Sequence, residues 1–281
     1  MFRSRSRQPI FSNFRVDCLA ALFEFVGTTV FLLLAFGGVQ ASQGESGNSD
    51  TSSTNVQRVL YVSLSFGISL LVSAWLFFRV TGGLFNPNVS LALFLTGDLG
   101  PVRFVLYSIA QLVGGIAAAA IILALTPGPL ASNTSLQHGV NAAQGVFIEM
   151  FVTAILVLAV LMLAAEKHHT TPFAPIGIGL TCLTCHMWAV WFTGGGMNTA
   201  RAFGPAVVTG FPYDKHWVYW VGPFLGSLLA AGFYTLLKHY HYWRLNPGQD
   251  VIVPPLARMQ TQGVLDDPGN TTRNPGTPIF H

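Results

Sequence analysis

Charge is scarce in this chain. Lysine, arginine, aspartate and glutamate make up 9% of 281 residues, where a soluble globular protein carries about 25%, and that shortage excludes an ordinary solvated fold. A net charge of +3 leaves no basic excess for a nucleic-acid partner. Cysteine is scarce as well: Cys18, Cys182 and Cys185 all lie in apolar stretches, which argues against a disulfide framework. Cys182-Leu183-Thr184-Cys185-His186 formally matches a c-type haem attachment signature. On an uninterrupted membrane helix there is no room for haem, so the match is read as coincidence. No nucleotide motif, catalytic group, metal site or cofactor signature is legible, and neither enzyme chemistry nor a cofactor is expected.

What fills the chain is apolar. Hydrophobic residues reach 51% and the mean hydropathy is +0.52, as expected of a polytopic membrane protein. A span needs about 20 mostly apolar residues, and six stretches qualify: Val16–Val39, Val59–Phe78, Phe104–Leu125, Ala142–Ala165, Phe173–Thr193 and Trp217–Leu237. The first is read as a retained helix, since no small-residue cleavage site ends it. Gln40–Gln57, rich in Ser, Gly, Asn and Thr, reads as a solvated loop. The organisation is then a tail at 1–15, a membrane domain at 16–240 and a second tail at 241–281, proline-rich and largely disordered in expectation.

Basic residues set orientation, because a cytoplasmic excess of Lys and Arg governs topology. With both termini inside, the cytoplasm takes Arg3, Arg5, Arg7, Arg15, Arg79, Arg103, Lys167, Lys238, Arg244, Arg258 and Arg273. The outside keeps only Arg58, Arg201 and Lys215. Cytoplasmic termini in a multi-pass protein of the plasma membrane are therefore expected.

Two apolar runs are too short to span. Val89–Leu95 follows Gly82-Gly83-Leu84-Phe85-Asn86-Pro87-Asn88, and Ala200–Val208 follows Gly194-Gly195-Gly196-Met197-Asn198-Thr199. Short interrupted segments in matching places of two halves point to a site at the bilayer midplane. The halves match elsewhere too: Glu24 precedes Thr28 as Glu149 precedes Thr153, and Gln111 precedes Gly114 as Pro223 precedes Gly226. Three spans per half require inversion in the membrane. The predicted fold is all-α, with six transmembrane helices, two re-entrant half-helices and repeats at 16–125 and 142–240. Gly114/Ala118, Gly222/Gly226 and Gly226/Ala230 suit close helix packing.

With these features in hand, the chain resembles the aquaporin family of water and glycerol channels over Val16–Tyr240, and its variants look similar to fungal members. Both loops of that family usually read Asn-Pro-Ala; here they read Asn86-Pro87-Asn88 and Asn198-Thr199-Ala200. The resemblance implies a homotetramer with one pore per subunit. It also implies an outer constriction of Phe66, His186, Gly195 and Arg201, a quartet similar to the water-selective class. Glycerol channels typically have glycine at the position of His186 and aspartate at that of Ala202. Ala206, Tyr219 and Trp220 also resemble the water-channel pattern.

The residues give these expectations a physical form. An asparagine before a half-helix is an N-cap, and two such caps meeting at the midplane bring together two helix N-termini, each worth about half a positive charge. Water accepts from them while cations and protons are repelled. Asn88 is expected to bond Thr199 across the two loop ends. Glu24 and Glu149 are either proton relays of a carrier or static acceptors for loop N–H groups, and their recurrence with the loops favours the static role. Cys182, one turn from His186, is expected to border the lumen and confer mercury sensitivity. Asn133-Thr134-Ser135 is a glycosylation sequon in an outside loop, whereas those at Asn88 and Asn270 should be silent. His168 and His169 read as a solvated loop. The expected partners are water and the bilayer, with small neutral solutes as an alternative cargo. Proton-coupled carriage and a non-conducting junction or scaffold role are the competing classes.

Overall fold

The structure is a computed structural model that describes residues 12–43 and 51–247, with 51–54 described by backbone alone. Arg3, Arg5, Arg7, residues 44–50 of the first loop and the tail from 248, with Arg258, Arg273 and the Asn270 sequon, lie outside the described residues. The chain divides into two units, Met1–Tyr240 and His241–His281. The described part of the second holds one 3₁₀ turn, Tyr242–Arg244.

Eight α-helices and no strand occur among the described residues. They are α1 (Phe14–Ala41), α2 (Thr51–Phe77), α3 (Pro87–Leu95), α4 (Pro101–Leu125), α5 (Ala142–Val160), α6 (Ala174–Thr193), α7 (Thr199–Val208) and α8 (Val218–His239). A π-helical turn, Leu161–Ala165, extends α5. Six of the helices are long and apolar enough to cross a membrane. Their outward faces carry exposed apolar residues such as Leu22, Phe23, Ile155 and Leu228, which suits a hydrocarbon solvent.

One boundary differs from expectation. Gln40–Gln57 reads as loop, but α1 continues to Ala41 and α2 already begins at Thr51. Hydropathy marks where a helix leaves the hydrocarbon. Helix propagation adds a hydrogen bond for each residue fixed, so the polar turns at Thr51–Gln57 extend the helix beyond the apolar span.

The half-helices α3 and α7 have 9 and 10 residues, about 15 Å of rise at 1.5 Å per residue, half of a hydrocarbon core about 30 Å thick. The packing obeys the inverted repeat. Helix α1 packs on α4 as α5 packs on α8, while α2 and α6 pair with each other across the pseudo-twofold. At that crossing a Cβ on Gly67 would sit 2.9 Å from Gly179 O, and one on Gly179 would sit 2.8 Å from Gly67 O. The two glycines let the backbones touch. The half-helices cross over: α7 leans on α4, and α3 on α8 as well as on α4. Each repeat therefore closes around the other's re-entrant segment, and the two loop ends meet in the interior.

Candidate functional site

The loops feeding α3 and α7 share one backbone path. Gly83 and Gly195 have φ of 64° and 66°, Phe85 and Met197 both have φ of 53°, and Asn86 and Asn198 have φ of −151° and −150°. A left-handed conformation at a bulky non-glycine residue costs on the order of 1–3 kcal/mol, so something must hold Phe85 and Met197. The two buried glutamates do. Glu24 Oε1 accepts the Phe85 N–H at 2.5 Å and Gln111 Nε2 at 2.9 Å. Glu149 accepts from Gly196 N at 2.9 Å, Met197 N at 2.7 Å and Thr193 Oγ1 at 2.5 Å. Both carboxylates are fully buried. Backbone groups that a helix would have paired are paired here by side chains from α1 and α5.

Each asparagine caps its half-helix. Asn86 Oδ1 accepts from Asn88 N at 2.9 Å, and Asn198 Oδ1 from Ala200 N at 2.9 Å and Arg201 N at 3.3 Å. The amide nitrogens then reach across: Asn86 Nδ2 donates to Met197 O at 2.9 Å and Asn198 Nδ2 to Phe85 O at 2.8 Å. The residues in left-handed conformation thus present the carbonyls that lock the opposite asparagine. An amide NH₂ has two hydrogens, so one remains on each nitrogen, and both asparagines line the same cavity. Asn88 Oδ1 accepts from Thr199 N at 3.0 Å and Thr199 Oγ1 at 2.9 Å. Ser227 of α8 donates to Asn88 O at 2.9 Å, so a polar clasp joins the two half-helix starts where Ala and Pro stand in the commoner motif.

Further along the cavity, four positions converge from four elements. Phe66 of α2 stacks on His186 of α6, with ring centroids 4.3 Å apart and planes at 14°. The Arg201 guanidinium carbon of α7 lies 4.8 Å from the Phe66 ring centroid. Gly195 closes the ring of contacts without a side chain, since a Cβ there would sit 2.8 Å from His186 Cδ2. His186 Nδ1 is 2.9 Å from Cys182 O. A carbonyl only accepts, so Nδ1 carries a proton, and in the neutral ring Nε2 is an acceptor. Arg201 donates from Nη1 to Ser132 O at 2.6 Å and from Nη2 to Gly194 O at 3.2 Å. His186 Nε2 and Arg201 Nε, both buried, have no protein partner among the described residues. One ring acceptor atom and one guanidinium donor atom, besides the second hydrogens of Nη1 and Nη2, are therefore left unspent beside the Phe66 ring. Arg201 also borders a second cavity, lined by Arg58, Gln137 and Trp191, so it stands between the two spaces.

Other sequence-marked residues fall as follows. Cys182 lines the inner cavity, its Sγ 3.4 Å from His186 Nδ1. Asn133 is half-buried, with Nδ2 donating to Thr209 Oγ1 at 3.0 Å, and Thr134 is buried. His168 Nδ1 lies 2.5 Å from Thr170 Oγ1 within its own turn. Tyr219 donates to Thr193 O at 2.6 Å behind the second loop, whereas Trp220 is exposed. Sequence reasoning missed the left-handed Phe85 and Met197, the Ser132 carbonyl and the role of Gln111, which bonds both Glu24 and Ser90. A lone glutamine in an apolar span is the available signal for Gln111. Nothing in composition marks a backbone carbonyl.

Residues 13–234 match the family model described as major intrinsic protein. The chain belongs to that family. Aquaporin-1 of Laccaria bicolor is 64% identical over 241 residues, covering 85% of this chain and 78% of the relative. Aquaporin-1 of Gibberella zeae is 46% identical over 247 residues, covering 88% of this chain and 77% of the relative. Among solved structures, the aquaglyceroporin from Plasmodium falciparum superposes with a TM-score of 0.64 at 18% identity, covering 86% of this chain and 99% of that one; this likeness carries the fold alone. The chain is thus a multi-pass channel of the aquaporin family, a family of transporters, and it resembles fungal members.

Proposed function

We propose that this aquaporin-family channel is a passive, water-selective pore that excludes ions, protons and glycerol. The observation that carries the reading is the convergence of Phe66, His186 and Arg201, with His186 Nε2 and Arg201 Nε unspent. A water molecule passing there exchanges its lost hydrogen bonds for one to an imidazole acceptor and one from a guanidinium. A larger polyol meets the Phe66 and His186 rings, and a cation meets fixed positive charge in a desolvated passage.

At the midplane, Asn86 and Asn198 each keep one amide hydrogen for the passing molecule. The N-termini of α3 and α7 add positive potential. A water held there accepts two bonds and turns both its own hydrogens away, toward the two mouths, which interrupts a continuous donor chain. Glu24 and Glu149 act as static supports: both Glu149 oxygens accept loop N–H groups and Glu24 Oε1 accepts the Phe85 N–H, while Glu24 Oε2 has no protein partner among the described residues. The alternative, a proton-coupled carrier, needs a carboxylate free to cycle. We further infer a homotetramer in the plasma membrane with cytoplasmic termini.

The test is osmotic shrinkage of proteoliposomes followed by stopped-flow light scattering, with and without a proton gradient. Fast, weakly temperature-dependent water flux that ignores the gradient is the expected result. Flux equal to that of empty vesicles favours the scaffold reading, and gradient dependence favours the carrier.

A further inference from the structure

The segment between α4 and α5 holds the outer end of Arg201 without any regular structure of its own. Pro127 and Pro129 lack N–H groups, and besides the Gln137 N–H to Phe192 O bond at 2.9 Å this stretch is held by side chains from elsewhere. Gln40, in the last turn of α1, grips it from both ends of one amide: Oε1 accepts the Ala131 N–H at 3.0 Å, and Nε2 donates to Pro129 O at 3.1 Å. Asn133 Nδ2 donates to Thr209 Oγ1 at 3.0 Å. Thr209 directly follows α7, the half-helix that carries Arg201, and its hydroxyl is fixed in turn on Pro205 O at 2.8 Å. Ser132 lies between these two clips, and its carbonyl makes the shorter of the two hydrogen bonds of Arg201.

We infer that Gln40 and Asn133 are positioning residues for solute selectivity: they fix the Ser132 carbonyl from α1 and from the end of α7, and so keep the Arg201 guanidinium in the constriction. This rests on the proposed reading of that constriction as a water-selective filter. Gln40 lines neither cavity that Arg201 borders, and Asn133 lines only the one on the Arg58 side. Each acts through one carbonyl, and loss of either clip raises the population of conformers in which Arg201 is released. One net hydrogen bond corresponds to roughly a fivefold change in such a population.

The experiment compares the full chain with Gln40→Ala, Gln40→Glu, Thr209→Val and Arg201→Ala in proteoliposomes, measuring glycerol and water permeability separately. Gln40→Ala and Thr209→Val are expected to raise the glycerol-to-water permeability ratio by roughly three- to tenfold, with water flux kept within about twofold. Gln40→Glu keeps the acceptor for Ala131 and loses the donor to Pro129, so it should fall between wild type and Gln40→Ala. A merely structural role would lower both fluxes together and leave the ratio alone. Thr209→Val tests the second clip independently should Gln40→Ala fail to insert. An unchanged ratio in Gln40→Ala and Thr209→Val, beside a raised ratio in Arg201→Ala, overturns the positioning role while the filter stands. An unchanged ratio in Arg201→Ala as well removes the filter, and the positioning role with it.

Discussion

Restoring the commoner motif in both loops dissects the clasp between Asn88 and Thr199. Asn88→Ala removes an oxygen that accepts from Thr199 N and Oγ1 at 3.0 and 2.9 Å. The hydroxyl keeps Tyr219 O at 3.2 Å, but the buried N–H at the start of α7 is left without that acceptor, at a cost of about 1–3 kcal/mol. Thr199→Pro removes both donors and strands the Asn88 oxygen at a similar cost, partly offset by the preset φ of proline at the first helical position. The double variant removes both sides of the clasp, and replacing both partners is close to neutral. Its destabilisation should therefore fall short of the sum of the singles by about 1–3 kcal/mol. Equilibrium unfolding of the four proteins in mixed detergent micelles measures this coupling, and water flux in vesicles checks that the pore survives. Effects that add within about 0.5 kcal/mol would refute the clasp as an energetic unit.

Glu149→Ala strands the N–H groups of Gly196 and Met197 and releases a left-handed Met197. It should cost about 2–6 kcal/mol for the two stranded donors, read as loss of monodisperse protein on gel filtration, whereas Glu149→Gln retains one acceptor oxygen and should cost less. Mercury block of water flux should be present in the wild type and absent in Cys182→Ser, since Cys182 Sγ borders the inner cavity beside His186. His216, in the loop before α8, has its pKa lowered by burial. Its neutral form is preferred in the fold, so its contribution to stability is complete above its ordinary pKa of about 6.5 and is lost as pH falls below that value toward the folded pKa. Thermal unfolding between pH 7 and pH 5 should show a drop that is smaller in His216→Gln.

Spans, half-helices and inversion were legible because bilayer thickness imposes a length on every apolar run, and because Glu24 and Glu149 recur with their loops. The site was legible only as residues. Asn86, Asn198 and Arg201 stand out as polar groups in apolar sequence, but their partners are mostly backbone carbonyls of Phe85, Met197, Ser132 and Gly194. Any residue type supplies such a carbonyl, so composition is silent about it. Phe85 and Met197 carry no glycine signal for φ of 53°, because buried carboxylates rather than a missing Cβ sustain the turn. The polar start of α2 at Thr51 was hidden for another reason: hydropathy reports the membrane, and the helix outlasts it.

Arg201, held beside Phe66 and His186, is the residue we propose makes the channel select water over glycerol. The most direct test is the glycerol-to-water permeability ratio of wild-type and Arg201→Ala channels in the same vesicles. Fast water flux with little glycerol flux is expected in the wild type, and a raised ratio in Arg201→Ala with water flux retained. Glycerol passing readily through the wild type, or a ratio indifferent to Arg201, would contradict that role.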